Sequence, residues 1–134
     1  MAKKGSINLK ITIDSRAMRF FQTEAPMKLI EARKRAVEAA GMVWADEAKG
    51  ITRAEDHIDT GLYINSIGYG TGTPNSPLYE LQQGSDSTVL RIGADVSYAE
   101  PLEKRYSIFA RALDVAESRM MSVAQTQVKN TFGL

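Results

Sequence analysis

His57 is the only histidine of the chain, and it stands among Glu55, Asp56 and Asp59. An imidazole beside carboxylates is material for acid–base chemistry or metal ligation. The spacing fits no zinc motif, and residues 51–60, ITRAEDHIDT, read as an exposed polar connector, so a solvated loop is the expectation. Ser66 lacks a Gly-x-Ser-x-Gly frame, and a triad built on it would have to use His57 by default. Gly68-x-Gly70-x-Gly72 has glycines spaced as in a phosphate loop. It lacks the following Lys-Ser/Thr, and no helical pattern starts directly after it, so a flexible loop is expected. Arg33-Lys34-Arg35, with Lys28 upstream, could face phosphates or a neighbouring subunit. Three consecutive helical residues fan around the axis, and no aromatic stacking set lies beside them. No catalytic, cofactor-binding or metal-ligating residue is assigned, and the chain reads as a protein without enzymatic activity.

The elements that would carry these residues follow from composition and period. The chain has 134 residues, 43% hydrophobic and 25% charged, which suits one folded domain spanning 1–134. It has no cysteine, so disulfides and thiolate metal sites are excluded. No apolar run approaches the roughly 20 residues needed to cross a bilayer, and the basic N-terminus lacks the apolar core of a secretory signal. Charge is uneven. Residues 1–35 hold nine of the 17 Lys/Arg against three of the 16 Asp/Glu, net +6, which leaves the rest at net −5. Solvated faces account for such runs, and a basic end meeting acidic surface or DNA is the sharper alternative.

Ile7, Leu9, Ile11 and Ile13 alternate with Asn8, Lys10, Thr12 and Asp14, which predicts a strand with one buried face. Phe20 and Phe21 are adjacent and cannot point the same way, so one is expected to be exposed or to meet a partner. Pro26 opens a helix. Ile30, Val37, Ala40, Trp44, Ala48 and Ile51 give it one apolar stripe, with Gly50 as its stop and Trp44 as a core anchor. Glu31–Arg35 and Lys34–Glu38 are spaced as ion pairs on its solvent side. Tyr63–Tyr69 enters a second strand, directly or after one helical turn. Leu78–Gln82 and Thr88–Ile92 form a hairpin across Gly84-Ser85-Asp86-Ser87, and Asp95–Ala99 is a strand end. A second long helix runs from about Ser107 to Asn130. Segments 1–5 and 68–77 are expected to be flexible. The sum is an α+β fold, a small antiparallel sheet packed against two long helices.

Two stretches carry a resemblance. Tyr98-Ala99-x-x-Leu102-Glu103 resembles the Tyr-Ala-x-x-aliphatic-Glu pattern of the tail-completion (neck) proteins of tailed bacteriophages. Asp59-Thr60-Gly61-Leu62-Tyr63-Ile64-Asn65-Ser66-Ile67 is similar to that family's Asp-Thr-Gly-x-Leu-x-x-Ser-Ile box, with the leucine displaced. The family's Pro-Phe-Leu-like segment has its counterpart in Ser107–Leu113, which includes Phe109 and lacks the proline. Lys104-Arg105 replace the Gly-Thr that often follows the glutamate. The resemblance implies a structural virion protein at the head–tail junction, made in the host cytoplasm. It implies self-association into a ring around the DNA channel, without cofactors and without a membrane. Head-completion, terminator or tail-tube proteins would be its partners, with non-specific contact to DNA. Asp59, Thr60, Gly61, Ser66, Ile67, Tyr98, Ala99, Leu102, Glu103 and Phe109 are then candidates for defining the subunit fold and its contacts, and Arg33, Lys34 and Arg35 for facing DNA or a neighbour. The alternatives are a tail terminator and a small basic-armed nucleic-acid-binding module.

Overall fold

The alternation of Ile7, Leu9 and Ile11 becomes strand β1, Gly5–Thr12, in the computed structural model, which describes residues 5–14, 19, 23, 26–55 and 61–134. There follow helix α1 (Pro26–Ala54), a single helical turn and a half, α2 (Leu62–Ser66), the hairpin β2 (Pro77–Gln83) and β3 (Ser87–Ala94), and two consecutive helices, α3 (Ala99–Tyr106) and α4 (Ile108–Phe132). The strands form one antiparallel sheet in the order β1-β3-β2. The fold is α+β, with the two long helices α1 and α4 packed on a small antiparallel sheet, as the periodicities imply. No helix among the described residues is long and apolar enough to cross a membrane.

Register decides which residues meet the helices. Ile7, Ile92 and Tyr79 lie side by side across the three strands, as do Leu9, Leu90 and Leu81. Leu90 and Ile92 are fully buried at the centre. The opposite face is polar. There Arg91 donates to Ser6 Oγ at 3.3 Å and lies 3.6 Å from Glu80. α1 reaches the sheet at Gly41, where an added Cβ would stand 2.8 Å from Leu90 Cδ2, so the missing side chain permits the close approach. α4 runs antiparallel to α1. Glu55 pairs with Arg111 near one end, and Glu47 with Arg119 at 3.1 Å two turns further along.

Four expectations change. α1 continues through Gly50 to Ala54, because Ala48, Lys49 and Thr52 are buried on either side of that glycine and packing holds the helix past it. Its buried stripe includes Leu29 rather than Ile30, which is 36% exposed; small alanines at 32, 36, 40, 45 and 48 widen the face that sheet and α4 share. Residues 63–69 are not a strand. Gly61 adopts φ +88° and its carbonyl accepts Asn65 N–H, closing α2, and only Gly68 N–H reaches β3, through Gly93 O at 2.8 Å. Asp95–Ala99 is likewise a turn and not a strand end. Ala99 N–H bonds Val96 O, and Pro101 falls in the first turn of α3, where its missing donor costs nothing. Phe20, Phe21, Asp56, His57, Asp59 and Thr60 lie outside the described residues. So does the 1–5 segment, apart from Gly5, which belongs to β1.

Candidate interaction site

Phe109, in the first turn of α4, is the point at which the two sequence stretches meet. Its ring packs edge-on against Trp44 of α1, with centroids 4.9 Å apart and planes at 74°. On its other side Tyr63 of α2 lies parallel to it at 6.0 Å, and Tyr98 follows at 6.3 Å from Tyr63. Trp44, Tyr63 and Phe109 are almost wholly buried, whereas Tyr98 is 39% exposed. The expected core anchor is therefore in place. Its indole N–H donates to Phe109 O at 3.1 Å, so Trp44 binds α4 by a hydrogen bond as well as by area.

Tyr63 is buried with a hydroxyl that has no hydrogen-bond partner among the described residues. Burial, then the negative charge of Glu103, then Tyr98 push its ionisation well above the ordinary phenol range.

Glu103 closes the same region. α4 begins at a left-handed Ser107, φ +51°, whose side chain does not cap it. The Glu103 carboxylate reaches over from α3 instead and accepts the N–H groups of Phe109 at 2.7 Å and Ala110 at 3.1 Å. These are among the orphan donors of a helix start, and an anion there also meets the positive end of the dipole. Ala99 is fully buried beneath this turn, and Leu102 is half-buried beside it. Lys104 turns away to pair with Glu100 at 3.5 Å, and Arg105 lies over the Tyr106 ring at 5.4 Å.

The second stretch works in the same manner. Ser66 is fully buried; its hydroxyl donates to Leu62 O and accepts Ser76 N–H at 2.7 Å, tying α2 to the entry of β2. Ile67 is fully buried in the core. Between these anchors the 68–77 segment, expected from composition to be mobile, is held at several points. Thr71 N–H bonds Asn65 O at 2.9 Å, and Asn65 Nδ2 bonds Pro74 O at 3.2 Å. Lys49 Nζ donates to Tyr69 O at 2.9 Å and Thr71 Oγ1 at 3.0 Å, and sits 4.2 Å from the Tyr69 ring centroid. Desolvation holds the Lys49 ammonium below its ordinary range, against the pull of Asp46 and with the push of Arg53.

The basic triplet divides. Arg33 is fully buried, and so faces neither DNA nor a neighbouring subunit. Its Nε donates to Thr88 Oγ1 at 3.0 Å and one terminal nitrogen to Gly84 O at 2.7 Å, fastening α1 under the β2–β3 turn. Lys34 and Arg35 are exposed, and Arg35 pairs with Glu31 at 2.6 Å. Glu38, expected to pair with Lys34, accepts the Tyr79 hydroxyl from β2.

The chain matches no family model, no curated protein and no solved structure.

Sequence reasoning misplaced Arg33 and passed over Lys49. Both signals were present. Arg33 stands four residues from Leu29 and four from Val37, and Lys49 four from Ala45, on the buried stripe rather than beside it. A cation at such a position has to find internal acceptors or bend the stripe toward water.

Proposed function

We propose that this chain is a structural component of the neck of a tailed-phage particle, completing the tail and joining it to the head as part of a ring. The observation that supports the reading is the meeting of the two resembling stretches. Although more than 30 residues apart in sequence, they meet in one aromatic cluster, Phe109–Tyr63–Tyr98, beside the Glu103 cap of α4. Residues matched by type to a structural family thus build a rigid corner of the subunit. That is what an assembly component requires, since identical interfaces repeat only if each subunit presents the same shape. Tyr98 and the exposed face of α3 are the part of this corner open to a partner. The protein acts by presenting edges and loops around a channel, with no chemical step, no cofactor and no membrane. Burial of Arg33 withdraws one of the three cations on which the nucleic-acid alternative rested.

The test is made on particles. Mass spectrometry of purified virions should find the chain in a small, fixed copy number, and imaging should place it between head and tail. Loss of its gene should leave filled heads and separate tails. Normally joined particles without the chain would overturn the proposal.

A further inference from the structure

The sheet ends in two open edges. β1 and β2 flank β3, and neither has a second strand beside it among the described residues. An open edge presents a row of unpaired backbone donors and acceptors, and proteins usually blunt it with proline, a bulge, brevity or inward charge. β1 has none of these: its pairing with β3 is continuous from Gly5 to Thr12, and its one charged residue, Lys10, points to the polar face. A groove of about 890 Å3 runs along this edge between β1, α1 and α4. Leu9, Ile11 and Val37 form its floor, and Met120, Ala124 and Val128 its far wall.

β2 shows the complementary deficiency. Tyr79 and Leu81 point to the helix side of the sheet, yet Tyr79 is 37% exposed and Leu81 only half-buried. Charge also differs between the edges. β1 carries Lys10, whereas β2 carries Glu80, which lies 3.6 Å from Arg91 and is still half-exposed. Over the chain, residues 1–35, which include β1, are net +6, while the remainder, which includes β2, is net −5. Pairing β1 with β1 across a two-fold axis would bring the like-charged ends together. Pairing β1 with β2 brings opposite ones together.

We propose that the β1 edge and its groove receive the β2 edge of a second copy, so that the sheet continues head to tail from subunit to subunit. β1 and β2 both run antiparallel to β3 and so point the same way. Copies in one orientation therefore meet in a parallel β1–β2 pair, with Tyr79 and Leu81 on the groove side and Glu80 on the side of Lys10. Such a contact is heterologous, and its repetition closes into a ring when the rotation allows. The inference rests on the ring reading above and names the surfaces that would form it.

The absence of cysteine allows a direct test by disulfide bridging in the full chain. Lys10→Cys, Asn8→Cys, Glu80→Cys and Gln82→Cys are made singly, and circular dichroism verifies that each folds. Within one subunit β3 separates β1 from β2 by about 9.6 Å, two strand spacings, beyond the reach of a disulfide. Mixtures of a β1 variant with a β2 variant, under mild oxidation over a wide concentration range, should give cross-linked dimers. The double variant Lys10→Cys/Glu80→Cys, or its register neighbour, should give a covalent ladder. Bridging of β1 variants to one another overturns the proposal in favour of two-fold pairing. Oligomers seen by light scattering without any β1–β2 bridge overturn it while leaving the ring reading intact. A chain that stays monomeric over the whole range also overturns it, and the ring reading is then decided by the particle experiment alone.

Discussion

Tyr63 and Arg33 are both buried with a polar atom lacking a partner among the described residues, and they predict opposite behaviour. The Tyr63 hydroxyl gains nothing from its site, since it forms no hydrogen bond to the described residues and feels the negative charge of Glu103. Tyr63→Phe keeps the stack on Phe109 and removes the unsatisfied group, so unfolding free energy at neutral pH should rise by about 1 kcal/mol. The sign of the pH dependence follows from linkage. Tyr63, Tyr69 and Tyr79 all have ionisation raised above the ordinary value of 10.0. Their contribution is present below that value and is lost as pH rises above it. Lys49, depressed below 10.5, acts oppositely: the folded state releases its proton first, so stability gains as pH climbs toward 10.5 and no further. Urea titrations should therefore show stability falling above pH 10.5, less steeply in Tyr63→Phe. An unchanged slope would contradict the buried placement of that phenol. Arg33 is different, because two of its nitrogens are bonded and its removal strands Gly84 O and leaves the Thr88 hydroxyl only its bond to Gln83. Arg33→Ala should cost roughly 2–4 kcal/mol, while Lys34→Ala and Arg35→Ala stay within about 0.5 kcal/mol. Equal effects at the three positions would mean that Arg33 is not the buried fastener.

At the scale of elements, the α3–α4 junction depends on a cap that is remote in the turn rather than adjacent. Ser107 occupies the cap position but takes a left-handed conformation and offers no side-chain bond, so Glu103 satisfies two backbone donors from the preceding helix. Glu103→Ala should lower stability by about 1–2 kcal/mol, the usual worth of a helix cap, and Glu103→Gln by less, since one oxygen acceptor remains. Denaturant midpoints at constant slope read both. Hydrogen exchange should show the loss concentrated at Phe109 and Ala110. A uniform loss across α4 would indicate that Glu103 acts through packing instead. The same junction supports the aromatic cluster, because Phe109 can sit between Trp44 and Tyr63 only if α4 starts where the cap sets it.

For the whole molecule, charge distribution governs what DNA can do. With Arg33 internal, the exposed part of the triplet is Lys34 and Arg35, and Arg35 is already paired with Glu31. Few phosphate contacts give weak binding that weakens steeply with salt, and they carry no base readout. Anisotropy titrations of the free chain should show no sequence preference and no binding at physiological salt tighter than the micromolar range. Submicromolar, sequence-selective binding would replace the neck reading with the nucleic-acid module.

Local period alone placed β1, the β2–β3 hairpin and the two long helices, though not their ends, because amphipathic alternation is written into neighbouring residues. Trp44 as anchor was legible for the same reason: it is the largest side chain on a stripe of alanines. Tertiary structure decided the rest. Tyr63 and Ile64 are strand formers, yet residues 62–66 coil into α2, because Gly61 and Gly68 take left-handed conformations that bracket a single turn. Arg33 read as a cation facing DNA or a neighbour and Lys49 carried no assignment, and each became internal when acceptors 20 to 55 residues away arrived beside it. Glu103 read as a motif residue without a partner of its own until the chain placed two unpaired N–H groups against it. In each case the deciding partner is a backbone atom or hydroxyl, which any residue type can bring, so no pattern in the sequence announces it. Only the path of the chain does.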